Sequence, residues 1–461
     1  MEYACRSLRA RVYSVLPCTR PCPPPKRAHV RLALLLLAVT VSACSEGAVP
    51  TSSSTLSSSA ASSATATRDE RASAPATLAW QARGRNLVVT HPAISALVAV
   101  RIYALLGVAQ YGAAVAADEA LGITGDDDAS VIGADEGGRA QYEARRGAIG
   151  GASATILSYL FPDVATAMEQ QLAAEGIGPN GRTHPQFTRG VATGRAMGDV
   201  MVAWARTDGF SVPWTNPPFA PWLPGTSGQW FQASATAPPA GYQFPGMRPY
   251  FMTSTHQFRP LPPPAFGSAA FLADLQVVRD FSDTRTAQQA AIANFWNLAG
   301  GTITALGYWG ERAGEYVVEH GLGDRSASHI FALTTAAAMD AALGCWDAKY
   351  TYVVLRPSHA DPLITRPAGR PGFPYGLPNH PSFPSGHSCV SAAAVTVLSA
   401  YFPEKGAALE FGLAQAGLSR VYGGIHYPFD ISAGQTLGRS VGAWALHYDR
   451  TQGLLSAVGR D

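Results

Sequence analysis

Three short segments between residues 346 and 430 combine cations, imidazoles and a hydroxyl group at spacings that suggest chemistry. Together they can surround an anion with positive side chains, with the unpaired N–H groups of a helix start, and with histidines that move protons near neutral pH. A tetrahedral oxyanion that becomes five-coordinate needs donors around its equator and an imidazole at each end. In chain order the segments are Trp346-Asp-Ala-Lys349-Tyr-Thr-Tyr-Val-Val-Leu-Arg356-Pro357, Pro384-Ser385-Gly386-His387 and Ser419-Arg420-Val-Tyr-Gly-Gly-Ile-His426-Tyr-Pro-Phe-Asp430.

The middle segment leads into an apolar run, residues 389–402, that is predicted to be a helix with Pro384 in its first turn. The N-terminus of such a helix attracts anions. Ser385 adds a hydroxyl donor, Gly386 lets an anion approach the backbone, and His387 adds a proton carrier. Alone, this triplet is more often an ordinary helix cap, so its interpretation depends on the flanking segments.

The first segment places Lys349 and Arg356 seven residues apart. On a helix this spacing is two turns, which predicts that both cations lie on one face, about 10 Å apart, with Trp346 beside them and Pro357 near the helix end. Two like charges beside apolar residues are unfavourable without an anion. A solvent-facing pair is the alternative. Lys349 is one of only three lysines in the chain, so its presence here is notable.

The third segment contains a third cation, Arg420, and a histidine followed four residues later by an acid. Asp430 can accept a hydrogen bond from His426 Nδ1–H, which leaves Nε2 as a nucleophile or metal ligand. Pro428 predicts that a new helix begins between them. A single histidine is more often a packed side chain than a catalytic one, so this segment too gains weight from the other two.

A hydrophobic content of 47% and a charged content of 14% fit a soluble protein with a substantial core. From about residue 80 the chain is predicted to be largely helical, which makes its fold class all-α. Residues 88–118 resemble a membrane span in composition, but their Ala and Gly content fits a buried bundle helix that begins at Pro92. The polar residues 122–138, with Asp126-Asp127-Asp128, are predicted to be a solvated loop, and the Pro- and Trp-rich residues 210–265 an ordered wrap at a pocket mouth. Cys345 and Cys389 are expected to be buried thiols rather than a disulfide. Further helices are predicted at 139–160, 163–175, 187–208, 269–280, 285–300, 301–319 and 325–350.

The N-terminal region indicates export. Residues 1–44 are predicted to be a signal peptide, with a ten-residue apolar run at 32–41 and a lipobox, Val41-Ser-Ala-Cys44, at which Cys44 is lipidated. Residues 45–78 are a Ser/Ala/Thr-rich linker predicted to be disordered, and residues 79–461 a helical domain with its motif core at 340–445. We therefore expect an exported bacterial cell-envelope lipoprotein, periplasmic or on the outer surface, that contacts the membrane only through a lipid anchor. A plain cleaved signal peptide is the alternative.

The charge distribution excludes a nucleic-acid partner. Residues 1–44 contain seven Arg/Lys and one acid, whereas residues 45–461 contain 27 basic and 31 acidic side chains. The exported part therefore lacks the positive surface that binding to phosphate backbones needs.

The three segments together match the pattern Lys-x6-Arg-Pro, Pro-Ser-Gly-His, Ser-Arg-x5-His-x3-Asp in full. This pattern resembles that of the superfamily that joins vanadium-dependent haloperoxidases, type 2 phosphatidic-acid phosphatases and bacterial class A acid phosphatases. The likeness extends over most of residues 85–450, including the helix of Arg101 and Phe295-Trp296, and looks like the bacterial haloperoxidase branch. The resemblance implies an all-α helical bundle of the haloperoxidase/type 2 phosphatidic-acid phosphatase type.

The resemblance implies vanadate as the cofactor, with His426 as the ligand of the vanadium. It assigns acid–base catalysis to His387 and orientation of His426 to Asp430, and it gives Lys349 the polarisation of bound peroxide. The groups expected to hold the equatorial oxygens are Lys349, Arg356, Ser385, Gly386 and Arg420.

The resemblance also implies a halide pocket. Trp346 matches an aromatic position beside the site of haloperoxidases, and His380 falls where chloroperoxidases have phenylalanine and bromoperoxidases histidine. The expected reaction is therefore oxidation of bromide or iodide, rather than chloride, by hydrogen peroxide to hypohalous acid. The alternative is a secreted or lipid-anchored acid or lipid phosphatase that hydrolyses a phosphate ester through a phospho-His426 intermediate. A degenerate, non-enzymatic lipoprotein is disfavoured because every motif position is intact, and a homo-oligomer is left open.

Overall fold

The fold is a bundle of α-helices, known here from a computed structural model that describes residues 75–123, 136–178, 180–213, 228–232 and 238–459. Within these ranges the β-structure consists of three isolated bridges and no sheet, so the predicted all-α class is confirmed. The helices are α1 (Ala76–Thr90), α2 (Ala96–Ala120), α3 (Glu136–Leu160), α4 (Ala165–Gly176), α5 (Pro185–Thr207), α6 (Ala269–Thr284), α7 (Ala287–Phe295), α8 (Thr304–Glu319), α9 (Asp324–Tyr352), α10 (Pro357–Ala360), α11 (Gly386–Tyr401), α12 (Gly406–Tyr422) and α13 (Pro428–Gln452).

Helices α2 and α9 form the centre of the bundle and pack on each other. Of the helices in the described ranges, α2 is the one long and apolar enough to cross a membrane, but 83% of its most apolar window is buried inside the protein. This burial agrees with the predicted bundle helix. The predicted start at Pro92 is wrong, because α1 ends at Thr90 and Ser95 caps α2 by accepting a hydrogen bond from Val98 N–H at 3.3 Å.

The predicted leader, most of the linker and the Asp126–Asp128 loop lie outside the described residues. The chain divides into Met1–Thr65 and Ala66–Asp461, and the described residues all belong to the second unit. Helix α1 begins at Ala76, three residues before the predicted start of the domain.

Helices α9, α11 and α13 pack together and bring the three motif segments to one place. The close approach of α13 to α11 depends on Gly438, where an added Cβ would lie 2.2 Å from the Cys389 carbonyl oxygen. The backbone also joins the two helix starts, because Ser385 N–H donates to the Asp430 carbonyl at 2.9 Å. Cys345 and Cys389, on α9 and α11, are buried free thiols, as predicted.

Candidate active site

The first two cations lie on different elements, so the predicted shared helix face is wrong. Helix α9 ends at Tyr352, where Val353 adopts a left-handed conformation with φ 50°. The chain then leaves the helix because residues 353–355 pair with 228–230: Trp230 N–H donates to the Val353 carbonyl at 2.6 Å and Leu355 N–H to that of Gly228 at 3.0 Å. Arg356 therefore precedes the short helix α10 and approaches the site from a loop.

Lys349 is fully buried and holds the loop before α11. Its ammonium donates to the carbonyls of Pro381 at 2.9 Å, Ser382 at 2.8 Å and Pro384. Burial lowers the pKa of Lys349 to about 8, and the charge of Arg356 acts in the same direction. The lysine thus connects α9 to the Pro-Ser-Gly-His segment through the backbone.

The start of α11 lies later than predicted. Ser385 is the N-cap and accepts from Ser388 N–H, whereas Pro384 lies just before the cap and not in the first turn. Gly386 is the first helical residue, and an added Cβ there would lie 2.9 Å from the ring of Trp346. The absence of a side chain at residue 386 therefore makes room for the Trp346 indole beside the helix start, in addition to the predicted access for an anion.

His387 and Arg420 are held by the same backbone atom. The Trp296 carbonyl accepts from His387 Nε2 at 3.0 Å and from Arg420 Nη1 at 2.9 Å. A carbonyl only accepts, so Nε2 carries the proton and Nδ1 is the unprotonated nitrogen. Burial and the charge of Arg420 hold the pKa of His387 well below its usual value. The Nε of Arg420 is buried and has no hydrogen-bond partner, so this guanidinium has a donor to offer.

His426 makes the predicted hydrogen bond to Asp430, with Nδ1 and Oδ2 2.8 Å apart. Its Nε2 lies 3.1 Å from Arg356 Nη1, which can only donate. These partners assign the proton to Nδ1 and a lone pair to Nε2. Burial, with the charges of Arg356 and Lys349, holds the pKa of His426 well below its usual value, so the ring is neutral with Nε2 as its free base.

Asp430 is the acid that faces this cluster. Its Oδ2 accepts from Ser382 Oγ at 2.5 Å and Tyr427 N–H at 3.1 Å as well as from His426, whereas Oδ1 is buried without a partner. Burial raises its pKa to about 6. Lys349, Arg356 and Arg420 therefore outnumber the single carboxylate among the described residues of the site, and this buried positive excess favours an anion.

A cavity of about 370 Å³ opens beside these groups. Trp346 and His380 both line it, with their ring centroids 4.9 Å apart, and their role as a halide pocket stays a prediction. Ser385, Arg356 and Lys349 lie behind the lining and bond to protein groups, so their contact with an anion stays a prediction. The predicted site residues that line the cavity are Trp346, His380, Gly386, His387, Arg420 and His426.

No group of three or more His, Cys, Asp or Glu side chains that could hold a metal cation occurs in the described ranges. The site instead offers one neutral imidazole nitrogen surrounded by buried positive charge. This arrangement fits a tetrahedral oxyanion bound at His426, because the anion would neutralise the excess charge and use the free donor of Arg420.

Comparison with known proteins agrees with this geometry. Residues 327–453, which contain all three motif segments, match the model of the PAP2 superfamily. The crystal structure of the first bacterial vanadium-dependent iodoperoxidase superposes with a TM-score of 0.62 at 23% identity, over 80% of this chain and 94% of that one. A holo-type bacterial vanadium-dependent chloroperoxidase superposes with a TM-score of 0.59 at 15% identity, over the same shares. No curated protein matches this chain significantly.

The domain has the PAP2 haloperoxidase fold. The superfamily resemblance is thereby confirmed, and the likeness covers the bundle as well as the motif segment.

Two contributors to this PAP2 site were missed. Ser382, fully buried, donates to Asp430, and the Trp296 carbonyl positions both His387 and Arg420. Ser382 lies in the Pro-Ser-Phe-Pro run just before the motif, but a lone serine there carries no spacing signal. A backbone carbonyl has no residue type at all, so no sequence pattern could have indicated the role of Trp296.

Proposed function

We propose that this protein is a vanadate-dependent haloperoxidase that oxidises bromide or iodide with hydrogen peroxide to hypohalous acid. One observation carries the proposal: Lys349, Arg356 and Arg420 are buried in one site with a neutral histidine, whose Nε2 lies 3.1 Å from Arg356 Nη1, and with a single carboxylate. The fold supports it, since the solved structures with this fold include a vanadium-dependent iodoperoxidase and chloroperoxidase.

His426 is the proposed vanadium ligand. Asp430 accepts a hydrogen bond from His426 Nδ1–H, so the lone pair of the ring is on Nε2. Arg356 now donates to that lone pair at 3.1 Å, and we expect an oxyanion to displace this contact and take the guanidinium as its own donor. Bound vanadate would supply an electrophilic centre at which hydrogen peroxide is activated toward halide.

The remaining groups hold charge and move a proton. Arg420 lies in the cavity wall and offers its free Nε, and Gly386 offers the first N–H of α11. Lys349 and Ser385 do not line the cavity, and the positive charge of Lys349 acts on His426 from behind the lining. His387, neutral with an unprotonated Nδ1, can accept a proton from peroxide and return it to a leaving hydroxide.

The halide preference rests on His380. This ring lies against Trp346, and its backbone carbonyl accepts from Arg356 at 3.0 Å. A polar imidazole at this position suits a halide that is easier to oxidise than chloride, as expected from the resemblance. We therefore propose bromide or iodide as the substrate.

A pair of assays on the purified full-length protein tests the proposal. We expect bromination of a phenolic dye that requires vanadate, peroxide and bromide together. We expect His426→Ala to abolish it, whereas His256→Ala, at an exposed histidine outside the cavity lining, should leave it unchanged. Bromination without vanadate, or hydrolysis of p-nitrophenyl phosphate as the sole activity, would overturn the proposal. The second result would establish the phosphatase alternative.

We also propose that the mature protein begins at a lipidated Cys44 in the cell envelope, on the basis of the lipobox. Mass spectrometry of the envelope fraction should find a diacylglycerol-modified N-terminal cysteine. Cys44→Ser should release the protein from membranes, and an unmodified N-terminus in the wild type would refute the assignment.

A further inference from the structure

Polar and aliphatic side chains both line the cavity beside the candidate site. Its polar lining includes His387, Arg420 and His426, and Arg420 is the one charged side chain among its described lining residues. Its volume of about 370 Å³ falls within the range of small-molecule pockets, ~300–1,000 Å³. Its aliphatic lining, called the apolar wall below, consists chiefly of Leu97, Val100, Leu298, Leu306, Leu377 and Val390.

The apolar wall is preformed by tertiary packing. It brings together α2, α8 and α11, which are far apart in the sequence. Trp346 is fixed across it because its Nε1 donates to the Ala240 carbonyl at 2.7 Å. Gly241, with φ +72°, packs so closely that an added Cβ would lie 2.5 Å from Trp346 Nε1 and 2.7 Å from Leu97. Such a wall is rigid enough to select a ligand by shape.

A halide ion and hydrogen peroxide have no hydrocarbon surface to bury against this wall, and both are small relative to a cavity of about 370 Å³. An apolar organic molecule gains free energy by leaving water for such a surface. On the basis of the proposed function, we infer that the cavity binds the organic acceptor of the halogen, an uncharged and largely apolar molecule with an electron-rich aromatic ring. Halogenation then takes place inside the cavity and not by hypohalous acid that has diffused away.

The overall reaction balances without a further reagent. An aromatic C–H, bromide, hydrogen peroxide and one proton give an aromatic C–Br bond and two water molecules. Bromide is oxidised, the peroxide O–O bond is reduced and broken, and the proton that leaves the ring joins a water. Two leucines serve as the test variant and its control. Leu97 lies in the first turn of α2 and lines the cavity, whereas Leu121, the C-cap of α2, is also partly buried against the core but lies outside the lining.

Binding is measured first, without peroxide. Equilibrium dialysis of the full-length protein against 2-naphthol should show one saturable site. Leu97→Gln should weaken binding about tenfold, the scale of one lost aliphatic contact in a pocket, and Leu121→Gln should not change it. Absence of saturable binding, or equal weakening by both variants, would overturn the inference without bearing on halide oxidation.

Product distribution is measured second. Vanadate-loaded enzyme brominates 2-naphthol and 4-hydroxybenzenesulfonate in competition, and added hypobromous acid gives the reference ratio. We expect the enzyme to favour 2-naphthol at least tenfold over that reference, and Leu97→Gln, but not Leu121→Gln, to reduce this preference. A ratio equal to the reference would overturn the inference while the proposed function stands. Naphthol binding without any bromide oxidation would overturn the proposed function, and with it the acceptor role.

Discussion

Two groups of buried cations lie in this domain, and their partners differ. In the first half of the bundle, Arg101 donates to Asp208 at 2.7 Å, and Arg145 donates to both oxygens of Asp118 at 2.5 and 3.0 Å. Each of these guanidiniums therefore has a carboxylate within hydrogen-bond distance, and Asp118 also lies 3.8 Å from Arg325 Nε. Such pairs join α2 to the end of α5 and to α3.

In the candidate active site, Lys349, Arg356 and Arg420 are buried as well. No carboxylate among the described residues lies within 4 Å of any of these three cations. They donate to backbone carbonyls and to imidazole nitrogen. Burial accordingly lowers the pKa of Lys349 to about 8 and that of Arg356 to about 10.

The difference separates structure from function. A buried cation with its own carboxylate is part of the fold, and removing one partner leaves an uncompensated charge. A buried cation without a carboxylate opposes folding in the free protein and becomes favourable only when an anion arrives. On this view, the first group stabilises the bundle, and the second group binds the ligand.

The largest expected effect is a contrast in stability between the two groups. Arg145→Met should lower the free energy of unfolding by about 3 kcal/mol, because buried Asp118 loses both charged hydrogen bonds from Arg145, which the longer 3.8 Å contact with Arg325 does not replace. Arg420→Met should change it by less than about 1 kcal/mol, because it loses one bond to a carbonyl and removes a desolvated charge. Urea unfolding of the ligand-free variants measures both changes. Equal losses of unfolding free energy in Arg145→Met and Arg420→Met would contradict the division into structural and ligand-binding cations.

Vanadate should reverse this contrast. At one hundred times its Kd, vanadate is expected to stabilise the wild type by about 2.7 kcal/mol. Arg420→Met should gain about 1–2 kcal/mol less at the same concentration, because a buried donor to the anion is lost. Urea unfolding with and without vanadate measures the gain.

The control is Arg195→Met, which breaks an exposed pair with Glu169 and should leave the vanadate effect unchanged. If vanadate stabilises Arg420→Met as much as the wild type, Arg420 does not bind the anion.

The sequence predicted those parts of the site that depend on local spacing. The four-residue step from His426 to Asp430 is fixed by the start of α13, so the hydrogen bond between them was visible in advance. The helix after Ser385 was predicted in the same way from the apolar run at 389–402, although its start was placed too early. The all-α class followed from periodicity and composition.

The sequence failed where distant segments decide the geometry. The seven-residue step from Lys349 to Arg356 fits a helix, but pairing of 353–355 with 228–230 ends that helix at Tyr352. Ser382 reaches Asp430 across 48 positions, and the apolar wall joins three separate helices. Such contacts are properties of the tertiary structure and leave no local pattern.

A pH dependence of stability should separate the two groups further. The pKa of Lys349 in the folded protein, about 8, lies below the ~10.4 of an unfolded chain. Between these values the unfolded state binds more protons, so this lysine's contribution to stability rises with pH. The stability of the wild type relative to Lys349→Met should therefore increase by about 2 kcal/mol from pH 7.5 to 9.5.

Urea unfolding across that range measures the increase, and Lys405→Met is the matched control. Lys405 pairs with Glu319, which raises its pKa, so its contribution should not rise in this window. If the stability of the wild type relative to Lys349→Met did not change with pH, the buried ammonium would be compensated by a group of the protein and would not need an added anion.

The smallest expected effect concerns the one carboxylate of the site. Ser382 Oγ donates to Asp430 Oδ2, and this hydrogen bond holds down a pKa that burial raises to about 6. Ser382→Ala should lower kcat/KM about five- to tenfold, equivalent to ~1 kcal/mol for one lost hydrogen bond. Because the pKa of Asp430 rises further, the acid limb of the pH–rate profile should move to higher pH.

Ser391→Ala separates this effect from a general loss of packing, because Ser391 is also buried on α11 but its hydroxyl makes no hydrogen bond. It should leave both the rate and the acid limb unchanged. A reduced rate for Ser382→Ala with an unmoved limb would mean that Ser382 only fills space. A shift of the acid limb to higher pH would show that Asp430 acts through His426. The ionisation of Asp430 would then set the lower pH limit of the reaction.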